Sequence, residues 1–513
     1  MFVSPKLSLS DILGSGYTEA IARANDYLGV MSFEESMAIA DEKVDFYPEE
    51  KQAKNDELLS KVGTVIIEGF ENTEKGAATN AFANATNTAM APVTGFGNFR
   101  IGEDGKLYLI GKSEHYHTPL GHRFNAYKLI DNARKLGVLN ATHNNTRGYI
   151  TRLMETRIVQ MANGIDWDDD CATAAIKSTE DKKVLNRVIN LETGSLACEA
   201  GLKMMLARFY KLDPTFPEPK YAGKTPVFFI MGDLKGGIEA NYHGTTVVAQ
   251  TLRGLWPEIR EKVAHEELYK VVPVSINDLD DFKAKMIEYN SDNYKTCGFC
   301  HEIILMNYGG IRLTKEFLQG AYALCKEYDT PTMCDEIQSC MWYDGAFLFR
   351  LYGLTPDFSI VGKGFPGGEY PASKIITNAD MDTLNQFGAL VTNGQEELAS
   401  LAYLITMTFM RANGKYIATL GRRFDNGLKA IAEKHSQKIV CAEGLDHLAA
   451  LHFHTVDEAA EFAGKMKGAC IDSSVMLYKA NCVPALLMKP PVIASEATID
   501  YILNTIDTLL GDN

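Results

Sequence analysis

The chain has 513 residues, 46% apolar and 23% charged, the balance of a folded protein with a large core and room for two to four domains. Its 51 basic and 66 acidic residues give a net charge of −15, and no basic cluster is present to displace phosphate counterions, so nucleic-acid binding is not expected. No run of about 18 apolar residues occurs, which argues against a membrane-spanning helix.

The first residues, MFVSPKLSLSDILGSGYTEA, lack a basic region followed by an apolar core, so no export signal is expected. Ten cysteines then read as reduced thiols of a cytoplasmic protein. Three glycosylation sequons, beginning at Asn84, Asn140 and Asn144, carry no meaning in that compartment. Residues 1–94 read as a helical extension, with helical spacing in 32–46 and 48–70. The small residues and proline of 77–97 break that pattern, and 97–112 reads as a hairpin turning at Glu103-Asp104-Gly105. Residues 95–155 are expected to form the first part of a small lobe and a crossing segment. From 156 to 410 strands alternate with helices. Segments 271–278, 299–310, 330–338 and 357–364 read as buried strands, and 314–328 reads as a helix between two of them. That alternation predicts an α/β domain with a mostly parallel sheet flanked by helices, with ligands at the carboxyl ends of the strands. Residues 411–513 complete a smaller α+β lobe built from both chain ends and closed by a helix over 495–510.

Two strand ends carry chemistry. The apolar run TPTMC delivers Asp335 and Glu336 at its end, although a strand end facing solvent would look the same. Twenty-eight residues later, strand 358–361 delivers Lys363 into a glycine-rich turn. A lysine there is costly unless paired, neutral or covalently used, and a desolvated amine is a good nucleophile toward an aldehyde. An acid and a lysine on strand ends suit pyridoxal phosphate. The lysine forms the Schiff base, and the carboxylate keeps the ring nitrogen protonated so that the ring accepts the electrons of a substrate carbanion.

With those residues in view, the chain resembles the class III, fold-type I pyridoxal-phosphate aminotransferases over roughly residues 95–513. The resemblance is carried by Asp335-Glu336-Ile337-Gln338, Pro356-Asp357, and Gly362-Lys363 followed by Gly367-Gly368 and Tyr370-Pro371. It implies a seven-stranded, mostly parallel sheet, and Lys363 as the Schiff-base lysine. It implies Asp335 on the ring nitrogen and Gln338 on the phenolic oxygen. It also implies phosphate contacts from Gly194 and Ser195 at a helix N-terminus, and an aromatic stack from Tyr242 beside His243. Glu302 matches the acid at the end of the preceding strand. Thr392 matches a threonine that reaches the phosphate of the neighbouring subunit, which implies a homodimer with shared active sites. The implied reaction is ping-pong transfer of an amino group from an amine or amino acid to an oxoacid or aldehyde. Lys363 would carry the proton between substrate carbon and cofactor. A racemase, aminomutase or decarboxylase on the same fold would share every cofactor residue, and a non-catalytic relative is the remaining alternative.

Other motifs fit structure better than chemistry. Cys297-Gly298-Phe299-Cys300-His301 matches a haem-attachment pattern but runs into a strand, where buried thiols are expected. His115, His117 and His122 lack further ligands, so no metal is expected. Gly364-Phe365-Pro366-Gly367-Gly368 lacks dinucleotide-fingerprint spacing. Four departures from the family stand out. The phosphate turn reads Gly194-Ser195-Leu196-Ala197-Cys198-Glu199, where many members have an acid third and an asparagine fifth. Asn307 replaces a glutamate gate. Leu487 stands where an arginine usually binds the α-carboxylate, with Lys489 and Arg312 as candidate replacements. The N-terminal extension is longer than usual.

Overall fold

The structure is a computed structural model that describes residues 1–70, 77, 79–80, 88–112, 119–139, 146–391, 393–477 and 481–511. The chain divides into two compact units. The larger comprises Leu9–Glu42 and Ile130–Gly414, and the smaller Met1–Ser8, Lys43–Leu129 and Lys415–Asn513.

The larger unit is built on seven strands: β1 (Leu185–Leu191), β2 (Thr225–Met231), β3 (Lys270–Val274), β4 (Tyr294–His301), β5 (Thr332–Asp335), β6 (Phe358–Val361) and β7 (Ser373–Asn378). Their order across the sheet is β1-β7-β6-β5-β4-β2-β3, with β7 antiparallel to both its neighbours and the others running one way. The central strands are buried along almost their whole length because helices cover both faces. On one face lies helix α1 (Gly194–Leu206), whose Ala197, Leu202 and Met205 share a core with Met333, Ile360 and Ile375. Close approach depends on a small residue in the sheet: a Cβ at Gly298 would lie 2.3 Å from Met205 Sδ. On the other face, Phe282 meets Phe229 at 5.6 Å, Phe299 at 5.0 Å and Phe317 at 6.0 Å, all edge to face. Each such pair is worth about 1 kcal/mol beyond its buried area. Phe317 comes from helix α2 (Lys315–Glu327), which starts where Thr314 Oγ1 accepts from Phe317 N. The expected layered α/β architecture is therefore present.

The N-terminal helices Leu9–Leu13, Ser15–Leu28 and Phe33–Ala40 join this unit. Tyr17 stacks on Tyr149 at 4.4 Å, and Asn25 Nδ2 donates to the Leu136 carbonyl at 3.1 Å. A capping box between Ser32 and Glu35 starts the third helix. That helix stops at Ala40, short of the expected 46, and Val44–Asp45 instead pairs with Lys6–Leu7.

The smaller unit holds two antiparallel three-stranded sheets. One is Pro92–Phe96, Phe99–Gly102 and Leu107–Leu109; the other is Ile439–Leu445, Leu448–Phe453 and Ala485–Met488. The expected hairpin over 97–112 is present and gains a third strand from Pro92–Phe96, a stretch whose small residues look like a break. The helix expected over 48–70 ends early. It runs Glu49–Leu58, tightens over Leu59–Lys61 and stops at Gly63, whose φ of 83° is left-handed. The β-branched Thr64-Val65-Ile66-Ile67 then lies extended, with Ile66 N donating to Gly105 O at 2.8 Å and Phe70 N to Glu103 O at 2.9 Å. Helix α3 (Glu397–Lys434) starts in the larger unit and ends in the smaller.

Candidate active site

Because six strands of the larger sheet run the same way, their carboxyl ends share one edge. Glu302 follows β4, Asp335 closes β5, Gly362-Lys363 follows β6, and Gly194 follows β1. Asp335 stands opposite Ile360 across the β5–β6 pair, three residues before Lys363. Asp335, Glu302 and Gln338 are buried, and Lys363 is half-buried. Lys363 has a φ of 50°, a left-handed conformation that is uncommon for a lysine and costs about 1 kcal/mol or more. The tight turn after it, with Phe365 N on Gly362 O and Gly367 N on Gly364 O, holds that conformation. Among the described residues its ammonium has no hydrogen-bond or ion-pair partner.

Asp335 is held by three contacts. Its Oδ1 accepts from Ile337 N at 3.1 Å. Its Oδ2 faces His243 Nδ1 at 3.2 Å and Cys198 Sγ at 3.7 Å. The carboxylate fixes Nδ1 as the protonated ring nitrogen. Asn241 places that histidine: its side chain accepts from Met231 N at 3.1 Å and donates to Met231 O at 2.6 Å, clamping the segment to the end of β2. Thr245 N donates to Ser195 Oγ at 3.1 Å, joining the same segment to the start of α1. His243 Nε2 is buried and has no hydrogen-bond partner among the described residues.

Two glycines let neighbouring segments approach closely here. A Cβ on Gly194 would lie 2.2 Å from Ile337 Cδ1. One on Gly244 would lie 2.7 Å from Ser195 Cα, and the φ of 107° there strains any side-chain-bearing residue. Gly194 and Ser195 occupy the first turn of α1, where backbone N–H groups lack intrahelical partners and favour an anion. Tyr242 is half-buried, with the Arg253 guanidinium 4.8 Å from its ring centroid.

Pyridoxal phosphate fits these residues. An orphaned imidazole nitrogen lies beside a buried carboxylate, a glycine-lined helix start suits a phosphate, and an amine lies on the adjacent strand. Of the residues expected from sequence, Lys363, Asp335, Gln338, Glu302, Gly194, Ser195, Tyr242 and His243 lie in this unit, and the geometry joins Asp335, His243 and Ser195 through α1 and the Asn241–Thr246 segment. Thr392 lies outside the described residues, as do His115 and His117. The contacts of Cys198 with Asp335 and of Arg253 with Tyr242 were not expected. A buried thiol carries no motif, and an arginine 11 residues beyond Tyr242 meets its ring only after folding.

The remaining motifs are structural. The Cys297–His301 run is buried in β4, where His301 Nε2 pairs with Tyr322 OH at 3.0 Å and burial lowers the imidazole to about 4. His122 packs against Gly95, and burial with Arg100 and Arg123 lowers it to about 4. Arg312 is exposed on a two-stranded ribbon with Ile304–Leu305. Leu487 is buried in the smaller unit, as is Lys489, which bridges to Lys112.

Residues 82–510 match the family model for class-III aminotransferases. The chain belongs to that family. It is 29% identical over 204 residues to an acetylornithine/succinyldiaminopimelate aminotransferase of Yersinia pestis, covering 40% of this chain and 44% of the relative. It is 26% identical over 284 residues to an acetylornithine aminotransferase of Caldanaerobacter subterraneus, covering 53% and 66%. These matches span less than two thirds of the relatives' own length. The fold resembles that of an ornithine aminotransferase from Toxoplasma gondii, with a TM-score of 0.65, 17% identity, and 83% and 91% of the two chains covered. The class III member thus has the fold-type I architecture of its family.

One acid near the site gives a pH signature. Glu336 is fully buried, and burial raises it from 4.5 to about 7 despite bonds from Ser339 Oγ and Phe349 N, with Asp335 adding to the rise. Between those values the folded chain binds a proton that the unfolded chain releases. The associated stability is therefore present below about 4.5 and lost as pH rises through about 7, roughly 3 kcal/mol in all. Urea unfolding of wild type and Glu336→Gln at pH 5 and pH 8 should show wild type losing that much relative to the variant. A constant difference between the two proteins would contradict this assignment.

Proposed function

We propose that the chain is a pyridoxal-phosphate-dependent aminotransferase that moves an amino group from an amine or amino-acid donor to an oxoacid or aldehyde acceptor. The observation that carries this reading is the buried, triply contacted Asp335 on the strand next to the one that delivers Lys363. Bound pyridoxal phosphate supplies an electron sink for the substrate carbanion. In this reading Asp335 holds the charge on the ring nitrogen, and His243 and Ile337 N orient that carboxylate. Lys363 Nζ takes and returns the substrate proton. Gly194 and Ser195 N–H groups bind the phosphate, and Tyr242 stacks on the ring. Gln338 holds the phenolic oxygen, and Glu302 supports the same edge. Thr392 completes the phosphate seat from the partner subunit of a two-fold homodimer.

The preferred donor in this reading is a primary amine remote from an α-carboxylate. The position expected to clamp that carboxylate carries the buried, apolar Leu487, which offers no bidentate fork. A cytoplasmic location is supported by ten free cysteines, and no helix among the described residues is long and apolar enough to cross a membrane. The test is a donor panel of a diamine, an ω-amino acid and ordinary α-amino acids, read as relative kcat/KM, with racemisation and carbon dioxide release measured alongside. Amino transfer favouring the first two is expected, by about tenfold or more for a lost bidentate contact. Racemisation or decarboxylation without amino transfer would move the chain to another reaction on the same fold. A dominant α-amino acid preference that Lys489→Ala or Arg312→Ala removes would identify a replacement clamp.

A further inference from the structure

We propose that Cys198 is a positioning residue for the reaction: its S–H bond to Asp335 ties the acid that holds the ring nitrogen to the helix that holds the phosphate. This rests on the reading of Asp335 given above. Cys198 lies four residues after Gly194, one turn further along α1 on the same helix face. Its Sγ, a ring nitrogen of His243 and a carboxylate oxygen of Asp335 lie within 4.8 Å of one another, all buried. One rigid helix thus presents its first N–H groups at one end of the site and a donor to Asp335 at the other.

The thiol acts as a donor and not as an anion. Burial raises it well above the ordinary thiol range, and the nearby Asp335 raises it further. Burial does the same to Cys300 and Cys334, while His301 on β4 is neutral above about 4. Among the described residues, the other groups facing this cluster are His243, Glu302 just after β4 and Glu336 just after β5. A carboxylate stripped of one donor is less favoured in its charged form. The pairing with a cationic ring nitrogen requires the charged form. Losing the thiol therefore weakens cofactor binding, and a replacement donor restores it.

The test is a fluorescence titration of cofactor-stripped wild type, Cys198→Ala and Cys198→Ser with pyridoxal phosphate. Cys198→Ala should bind about fivefold more weakly than wild type, the size of one lost hydrogen bond. Cys198→Ser keeps a donor and should restore most of that affinity. A serine variant as weak as the alanine variant, or an alanine variant as tight as wild type, would reduce Cys198 to packing and overturn the proposal. Infrared spectra need no Cys198 variant to fold. An S–H stretch that moves between wild type and Asp335→Asn supports the bond, and an unmoved band overturns it. The two readings fail separately. If Asp335→Asn leaves the affinity for pyridoxal phosphate unchanged, the assignment of Asp335 is wrong. If only Cys198→Ala is without effect, the assignment of Asp335 stands and that of the thiol does not.

Discussion

Lys363→Ala is expected to lower amino transfer by roughly 10⁴-fold, the upper range for a positioned acid–base group that also serves as nucleophile. The amine is half-buried, free of an ion pair among the described residues, and held by a left-handed backbone at the end of β6. Alanine in the same conformation carries a similar strain, so the fold should survive with stability changed by no more than about 1 kcal/mol. Lys363→Arg separates charge from chemistry. A guanidinium keeps the positive charge but cannot act as a neutral amine at working pH, so it should be as inactive as alanine. Borohydride treatment of cofactor-loaded wild type should label the peptide containing Lys363. Label on a different lysine, or retained turnover in either variant, would remove Lys363 from the mechanism.

The parts of the site legible in sequence are those whose chemistry is written in adjacent residues. An apolar strand ending in Asp335, and another ending in Lys363, are visible because an acid or a lysine after a buried run is unusual. The strand pairing that brings them together follows from the β/α alternation. Asn241 lies two residues before His243, a spacing that signals nothing in sequence, yet its two bonds to the backbone of Met231 are what fix His243 beside Asp335. Cys198 was noticed as a departure from the family pattern and not as a contact, because a thiol is a weak donor whose role depends on where the helix lies. Arg253 was invisible because a cation over an aromatic ring has no characteristic spacing. In the smaller unit, local chemistry overrode helical spacing at Thr64–Ile67. Four β-branched residues after a left-handed glycine favour an extended chain, and the neighbouring hairpin turn supplied the hydrogen bonds.

Asp335→Asn tests whether that carboxylate acts through charge or through shape. Asparagine has nearly the same volume, and its amide oxygen can still accept from His243 Nδ1, Cys198 or Ile337 N, so the packing is kept. The negative charge is lost. Opposite unit charges about 4 Å apart attract by about 4 kcal/mol at an effective dielectric near 20, so losing the charge should slow turnover by about 10²- to 10³-fold. Stability should change far less, because the variant removes an ionised group buried at 5% exposure and leaves its donors partly satisfied. The measurement pairs single-turnover rates, followed by cofactor absorbance with excess amine donor, with urea unfolding of the same protein. Asp335→Glu keeps the charge but moves it by one methylene away from the grip of His243, and should fall between wild type and Asp335→Asn. Equal losses for the glutamate and asparagine variants would mean that position outweighs charge. Full turnover in Asp335→Asn would leave the carboxylate with a structural role only, and the electron demand of the reaction would then have to be met without a charged partner at the end of β5.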